Sequence, residues 1–276
     1  MGKQILTGPP KTISPSSIDS HLQDSEIMSS VELSPIISSL QSSSNSLASR
    51  FRALFTLKGL ASLQPTSISQ IISSIGSTFT SDSALLKHEL AYVLGQIKHP
   101  LAEPILISVL SDLSQDEMVR HEAAEALGAI SLTSSLPILE KFLNDESVSV
   151  RETCELAIEK IKFDNDDGQG ESSTSQIRSG TGPIDPAPSL QPLKDLPTSD
   201  EIIELKDKLL DDESPLFLRY RAMFSLRDVV LKAREEESGQ GKSEGLREDA
   251  RSKGREATLA LARGLGEGVK GGALFR

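Results

Sequence analysis

The sequence predicts an all-α protein, an α-helical repeat solenoid in two arrays joined by a disordered linker, with the second array incomplete. Three observations carry that reading. One stretch recurs with His88 and His121 standing 33 residues apart, its apolar residues step by three and four, and the whole pattern restarts after a Gly-, Ser- and Pro-rich gap. Composition agrees. The 276 residues are 37% hydrophobic but only 4% aromatic, without Trp, and Ala, Leu, Ile and Ser fill the small and apolar positions, a palette suited to close-packed helices rather than sheets.

The repeat is carried by "LLKHELAYVLGQI" and "MVRHEAAEALGAI". At the shared offset Lys87 meets Arg120, Glu89 meets Glu122, Ala91 meets Ala124, Leu94 meets Leu127, Gly95 meets Gly128 and Ile97 meets Ile130. Within the first copy Leu86, Leu90, Val93, Leu94 and Ile97 form one apolar stripe that must be buried. One helical pair cannot bury it alone, and stacked pairs can. The partner helices "LAEPILISVLSD" and "SLPILEKFLND" each carry a first-turn proline, Pro104 and Pro137, where the missing N–H has no helical partner to lose. Ser114 with Glu117 reads as a capping box, and Asp82 or Ser83 as the cap of the earlier copy.

Degenerate units flank these two. Upstream, Arg52 stands near the histidine position in "SLASRFRALFTLKGLAS"; downstream, Glu152 replaces it in "VSVRETCELAIEKI". The domain reading is a Ser-rich segment at 1–29, a first array of about four helical pairs over 30–163, and a disordered linker at 164–199 whose composition cannot bury enough apolar area to offset ordering entropy. A second array occupies 200–276. Its helix "RYRAMFSLRD" repeats "RFRALFTLKG", Arg219, Tyr220 and Arg221 standing where Arg50, Phe51 and Arg52 stand, and the array contains a charged insertion at about 232–255 that reads as a solvated loop.

Several function classes are excluded or disfavoured. The net charge of -11 repels nucleic acid, no apolar run is long enough to span a membrane, and the N-terminus lacks a secretory apolar block. A myristoylation signal would need Ser or Thr where Leu6 stands. The single cysteine, Cys154, has no disulfide partner within the chain and reads as a small core residue. The expectation is a cytoplasmic protein with no nucleic-acid and no membrane partner.

The His-Glu pairs are harder to explain by packing. A lone helical histidine is usually a surface or core residue, and an early glutamate is favoured by the helix dipole. Here the other shared positions are apolar or small, and packing gives no reason to keep an imidazole and a carboxylate together twice. His21 and His99 lie outside the pattern, one in the Ser-rich segment and one before Pro100. Equivalent residues on stacked repeats lie roughly 8 to 10 Å apart on one face, so the pairs make a ladder of imidazole and carboxylate. Nitrogen and oxygen ligands without thiolate suit Fe, Mn or Zn. Adjacent helical residues diverge by about 100°, so the His and Glu of one pair would flank a metal rather than both point at it, and a complete site needs ligands from across a cleft.

With these residues in place, "LKHELAYVLGQI", "VRHEAAEALGAI", "VRETCELAIEKI" and the restarted "RYRAMFSLRD" closely resemble the first half, and the beginning of the second half, of the deoxyhypusine hydroxylase family. The resemblance runs from about Ser30 to Arg276 apart from the charged insertion. It implies HEAT-like repeats in two arrays, each giving two His-Glu motifs to a non-haem di-iron centre, with two Fe(2+) per complete active site. It also implies O2-dependent hydroxylation of the deoxyhypusine side chain of a translation initiation factor, the final step of hypusine synthesis, in the cytoplasm and also the nucleus. Carried over by motif, His88, Glu89, His121 and Glu122 are the expected metal ligands or groups bridging to them. Glu125 is a candidate for holding a cationic, polyamine-like side chain, the alternative being a solvated helix face.

The family's third and fourth His-Glu motifs have no counterpart here. Ala273, Leu274, Phe275 and Arg276 align with Ala84, Leu85, Leu86 and Lys87, immediately before the position of the next pair. The expectation is that one copy of this chain binds iron poorly and turns over little. Three readings follow: a piece of an active monooxygenase, a non-catalytic HEAT-repeat scaffold that binds a partner, or a homodimer whose two chains bring four pairs together.

Overall fold

The computed structural model describes residues 32–166, 183–191, 193–239 and 243–266. Among them all regular structure is helical, in the order α1 (Leu33–Gln41), α2 (Leu47–Leu63), α3 (Ile68–Gly76), α4 (Ala84–Ile97), α5 (Glu103–Ser111), α6 (Glu117–Ile130), α7 (Leu136–Lys141), α8 (Val148–Asp164), α9 (Ser199–Leu210), α10 (Leu216–Ser238) and α11 (Glu244–Gly266). The even-numbered helices α2, α4, α6 and α8 pack in succession as an inner layer, and α1, α3, α5 and α7 back them. The Ser-rich segment at 1–29 and the residues aligned at 273–276 lie outside the described residues.

The stripe read from the sequence is the one buried. Leu86, Leu90, Val93 and Leu94 are fully enclosed, and so are Val119, Ala123, Ala124 and Leu127 of α6. Each fully buried Leu or Val is stabilised by roughly 1.5 to 3 kcal/mol, which makes the stacking self-supporting. Cys154 belongs to the same core, and burial pushes its thiol up to about 12. Pro104 and Pro137 sit in the first turns of α5 and α7.

Gly95 and Gly128 set the spacing. A Cβ on Gly95 would meet the Ala126 backbone at 2.8 Å, and one on Gly128 would meet the Ala157 backbone at 2.9 Å. Two glycine-alanine contacts at equivalent positions therefore draw α4, α6 and α8 close together and set the pitch of the ladder.

A second device repeats three times. The Nε atoms of Arg50, Arg120 and Arg219 each donate to a carbonyl ten residues earlier, on Leu40, Leu110 and Leu209. Each buried guanidinium thus satisfies a backbone acceptor near the C-terminus of the preceding helix, which would otherwise be stranded. Arg120 also pairs with Asp145 of the next repeat. These arginines come one residue before the ladder position, so they fix where His121 and its equivalents face.

Three sequence expectations are corrected. Ser83 caps α4 as read, accepting from the Leu86 N–H at 3.2 Å, but the Ser114–Glu117 capping box does not form. Asp116 caps α6 instead, because the Ser114 hydroxyl is engaged by Asp112 and the Glu117 carboxylate accepts from Ser147 of the next repeat. The disordered linker does not extend through 183–191, where hydrogen bonds and the buried Ala187 hold an extended strap between the arrays. The charged insertion is largely helical rather than a loop. Lys232–Glu236, Arg251–Glu248 and Lys253–Asp249 are ion pairs at helical spacing, and Arg251–Glu237 joins α11 to α10.

Candidate metal centre

The ladder position puts His88 on α4 beside His121 on α6, with ring centroids 5.6 Å apart. Glu122 lies between them. Its Oε2 is 3.1 Å from His88 Nε2 and 4.0 Å from His121 Nε2. One ligand atom from each of His88, His121 and Glu122 lies within 4.8 Å of the other two. Two imidazoles and one carboxylate converging from two adjacent helices form a nitrogen and oxygen donor group of the kind that holds a metal ion.

Both rings are turned the same way. His121 Nδ1 lies 3.3 Å from the Glu117 carbonyl, which can only accept, so this contact places the proton on Nδ1 and frees Nε2. His88 Nδ1 lies 3.3 Å from Glu89 Oε1, a charge contact too off-axis for a full hydrogen bond. Glu89 is therefore not drawn into the three-residue group. Of the four expected site residues the structure gathers three and sets Glu89 behind His88, because adjacent residues leave the helix in divergent directions.

The electrostatics fit a site whose charges are unbalanced without a cation. The hydrogen bond to Glu122 raises the His88 pKa above its ordinary value, against the effect of burial. Burial lowers the His121 pKa, only partly opposed by Glu122. Glu125, one turn beyond Glu122, is pushed up to about 7 by burial and by the Glu122 charge. A cation bound among these groups would relieve the repulsion among Glu122, Glu125 and Asp185, and it would hold the imidazoles neutral.

The chain's two tyrosines border the same region. Tyr92 stands one turn from His88, and burial together with the Glu122 charge raises its pKa. Tyr220 follows Arg219 as His121 follows Arg120, so α10 presents a phenol at the ladder position. Burial raises its pKa, and Glu125 and Glu152 add to the shift. Tyr220 was legible from the repeat alignment, whereas Tyr92 showed no distinct signal. His99 accepts from the Leu101 N–H and so caps a turn, and His21 lies outside the described residues.

The strap closes one side. Gln96 Oε1 accepts from the Ile184 N–H at 3.0 Å, and Asp185 makes a two-pronged pair with Arg227 of α10 at 2.7 and 2.8 Å. Ile184, Asp185 and Pro186 then wall a cleft with Tyr92, Glu122 and Glu125. No long-range sequence pattern announced this pairing across the linker.

Fold and site together define a class: a HEAT-type helical-repeat protein whose inner face carries a two-histidine, one-carboxylate group of metal-binding type. Residues 72–159 match the HEAT repeats family. A deoxyhypusine hydroxylase from Mycosarcoma maydis is 47% identical over 258 residues, which cover 84% of this chain and 66% of that protein. A deoxyhypusine hydroxylase from Rattus norvegicus is 40% identical over 248 residues, covering 89% and 67%. The structure of human deoxyhypusine hydroxylase in complex with glycerol matches with a TM-score of 0.59 and 35% identity, over 89% of this chain and 81% of that one. The chain belongs to the deoxyhypusine hydroxylase family, and it spans about two thirds of the length of these fungal and rat relatives.

Proposed function

We propose that this chain supplies half of the metal site of a deoxyhypusine hydroxylase, with His88, His121 and Glu122 as ligands of one of two Fe(2+) ions. The observation that carries this is the convergence of those three side chains within 4.8 Å. When bound, iron supplies the activation of O2. The residues of the chain do the rest: Glu89 orients the His88 ring, and the Glu117 carbonyl holds the His121 tautomer. Glu125, its carboxyl pushed up to about 7, is placed to ionise against a side chain bearing ammonium groups, whose charge favours the carboxylate, while Tyr92 and the strap wall that flank. The substrate in this reading is the deoxyhypusine side chain of a translation initiation factor, and the compartment is the cytoplasm or nucleus. The sequence contains two His-Glu pairs, so the second iron draws its ligands from two further pairs, in a continued second array or a second copy of this chain.

The test is hydroxylation of the deoxyhypusine-bearing factor, followed as the gain of one oxygen atom in the modified side chain. Iron-loaded chain is assayed alone and with a polypeptide carrying the other two His-Glu pairs. The expected result is little product alone, product on addition, and none with His121→Ala. No product under either condition, or product undiminished in His121→Ala, contradicts the proposal. A protein that loses iron in the His88→Ala, His121→Ala double variant but keeps binding the factor retains a scaffold's role only.

A further inference from the structure

One exposed face beside this site carries apolar area and positive charge with no carboxylate partner among the described residues. On α2, Phe55 is 43% and Leu63 55% exposed, and they lie on one side of the helix two turns apart. Gly59 stands between them, where an added Cβ would meet nothing within 4 Å. The face continues onto α4 through Phe55 and Tyr92, with ring centroids 6.5 Å apart, and Lys58 lies 5.5 Å over the Tyr92 ring. Arg52 is exposed one turn before Phe55. Neither Arg52 nor Lys58 faces a carboxylate within ion-pair distance among the described residues. The whole stretch 33–81 holds three cations, Arg50, Arg52 and Lys58, and no Asp or Glu, in a chain of net charge -11.

We infer that Phe55, Leu63 and Tyr92, flanked by Arg52 and Lys58, dock the protein substrate through a segment with carboxylates beside an aliphatic or aromatic side chain. This rests on the substrate reading above. The arrangement is two-signed along one continuous face. Around His88 the carboxylates Glu89, Glu122 and Glu125 gather and suit a cationic side chain, and one helix away α2 is cationic and apolar. A protein presenting a cationic side chain from an otherwise acidic surface would match both signs in one orientation, and like-charge contact would penalise the reverse orientation. The exposed aromatic between cations supplies the anchor such interfaces concentrate their energy in.

The experiment measures affinity of the full chain for the deoxyhypusine-bearing factor at two ionic strengths, for unaltered protein, Phe55→Ala, the Arg52→Glu, Lys58→Glu double variant, and Lys162→Glu on the exposed side of α8. Co(II) binding is followed in parallel to show that each variant retains its fold. The expected result is a loss of about tenfold for Phe55→Ala and more for the double reversal, the latter shrinking at high salt, with Lys162→Glu near unaltered. Equal affinity in all variants, or an equal loss in Lys162→Glu, overturns the docking face. Unaltered chain that self-associates, and becomes monomeric in Phe55→Ala, assigns the face to a second copy and overturns it too. Absence of binding by the unaltered chain overturns the substrate reading itself, which is a distinct failure.

Discussion

At the scale of single residues, the division of labour within the His-Glu motif is the sharpest claim. Glu122 sits between two imidazole Nε2 atoms, whereas Glu89 reaches only the far side of one ring. Glu122→Gln should therefore abolish Co(II) binding in a spectroscopic titration, and Glu89→Gln should weaken it by about 10- to 100-fold, as loss of an orienting partner does. Equal losses would restore Glu89 to the ligand set. Glu125 gives a pH signature. Its folded pKa of about 7 exceeds the ordinary 4.5, so the metal-free native state binds the extra proton and loses stability as pH rises between those values. Glu125→Gln removes that penalty. Above pH 7 the metal-free variant should melt higher than the unaltered chain, with the difference gone below pH 4.5. A difference independent of pH would show that the Glu125 charge is not the cause. The sequence showed that His88, Glu89, His121 and Glu122 share a ladder. It did not show which carboxylate turns inward, because that depends on the rotation of each helix in its groove.

At the scale of elements, the repeat was legible because its helices carry the same buried stripe and the same close-contact glycine. Gly128→Ala forces a methyl group against the Ala157 backbone at 2.9 Å, where no flexible side chain can yield. Calorimetry of the metal-free protein should show a loss of roughly 1 to 3 kcal/mol, with a weaker metal site because α6 is displaced. Unchanged stability would mean the ladder's pitch is set elsewhere. The opposite change is expected at the helix ends. Lys98 closes α4 at φ 55, a left-handed conformation glycine adopts without strain. Lys98→Gly should therefore raise the melting temperature slightly, and a fall would show that the lysine stem contributes more than the strain costs. What the sequence did not reveal at this scale was the fate of the charged insertion. Its Glu, Lys and Arg content reads as a solvated loop until the spacing of Lys232–Glu236 and Lys253–Asp249 is recognised as helical pairing.

At the scale of the molecule, the two arrays meet through α8 and α10 and through the strap. Phe163 and Phe217 pack with centroids 6.0 Å apart, and Arg221 lies 4.6 Å over Phe163 while donating to the carbonyls of Pro188, Ser189 and Leu190. The apolar periods predicted two arrays but not their contact, since a Pro- and Ser-rich segment gains order only from partners distant in sequence. The account's central claim is that the first array binds one metal through His88, His121 and Glu122. The most direct measurement is an anaerobic Fe(II) titration of the purified chain, with stoichiometry and affinity read by calorimetry for the unaltered protein and for His121→Ala. The account predicts one weakly held ion per chain and none in the variant. Two ions per chain, or one held equally well by His121→Ala, would contradict it.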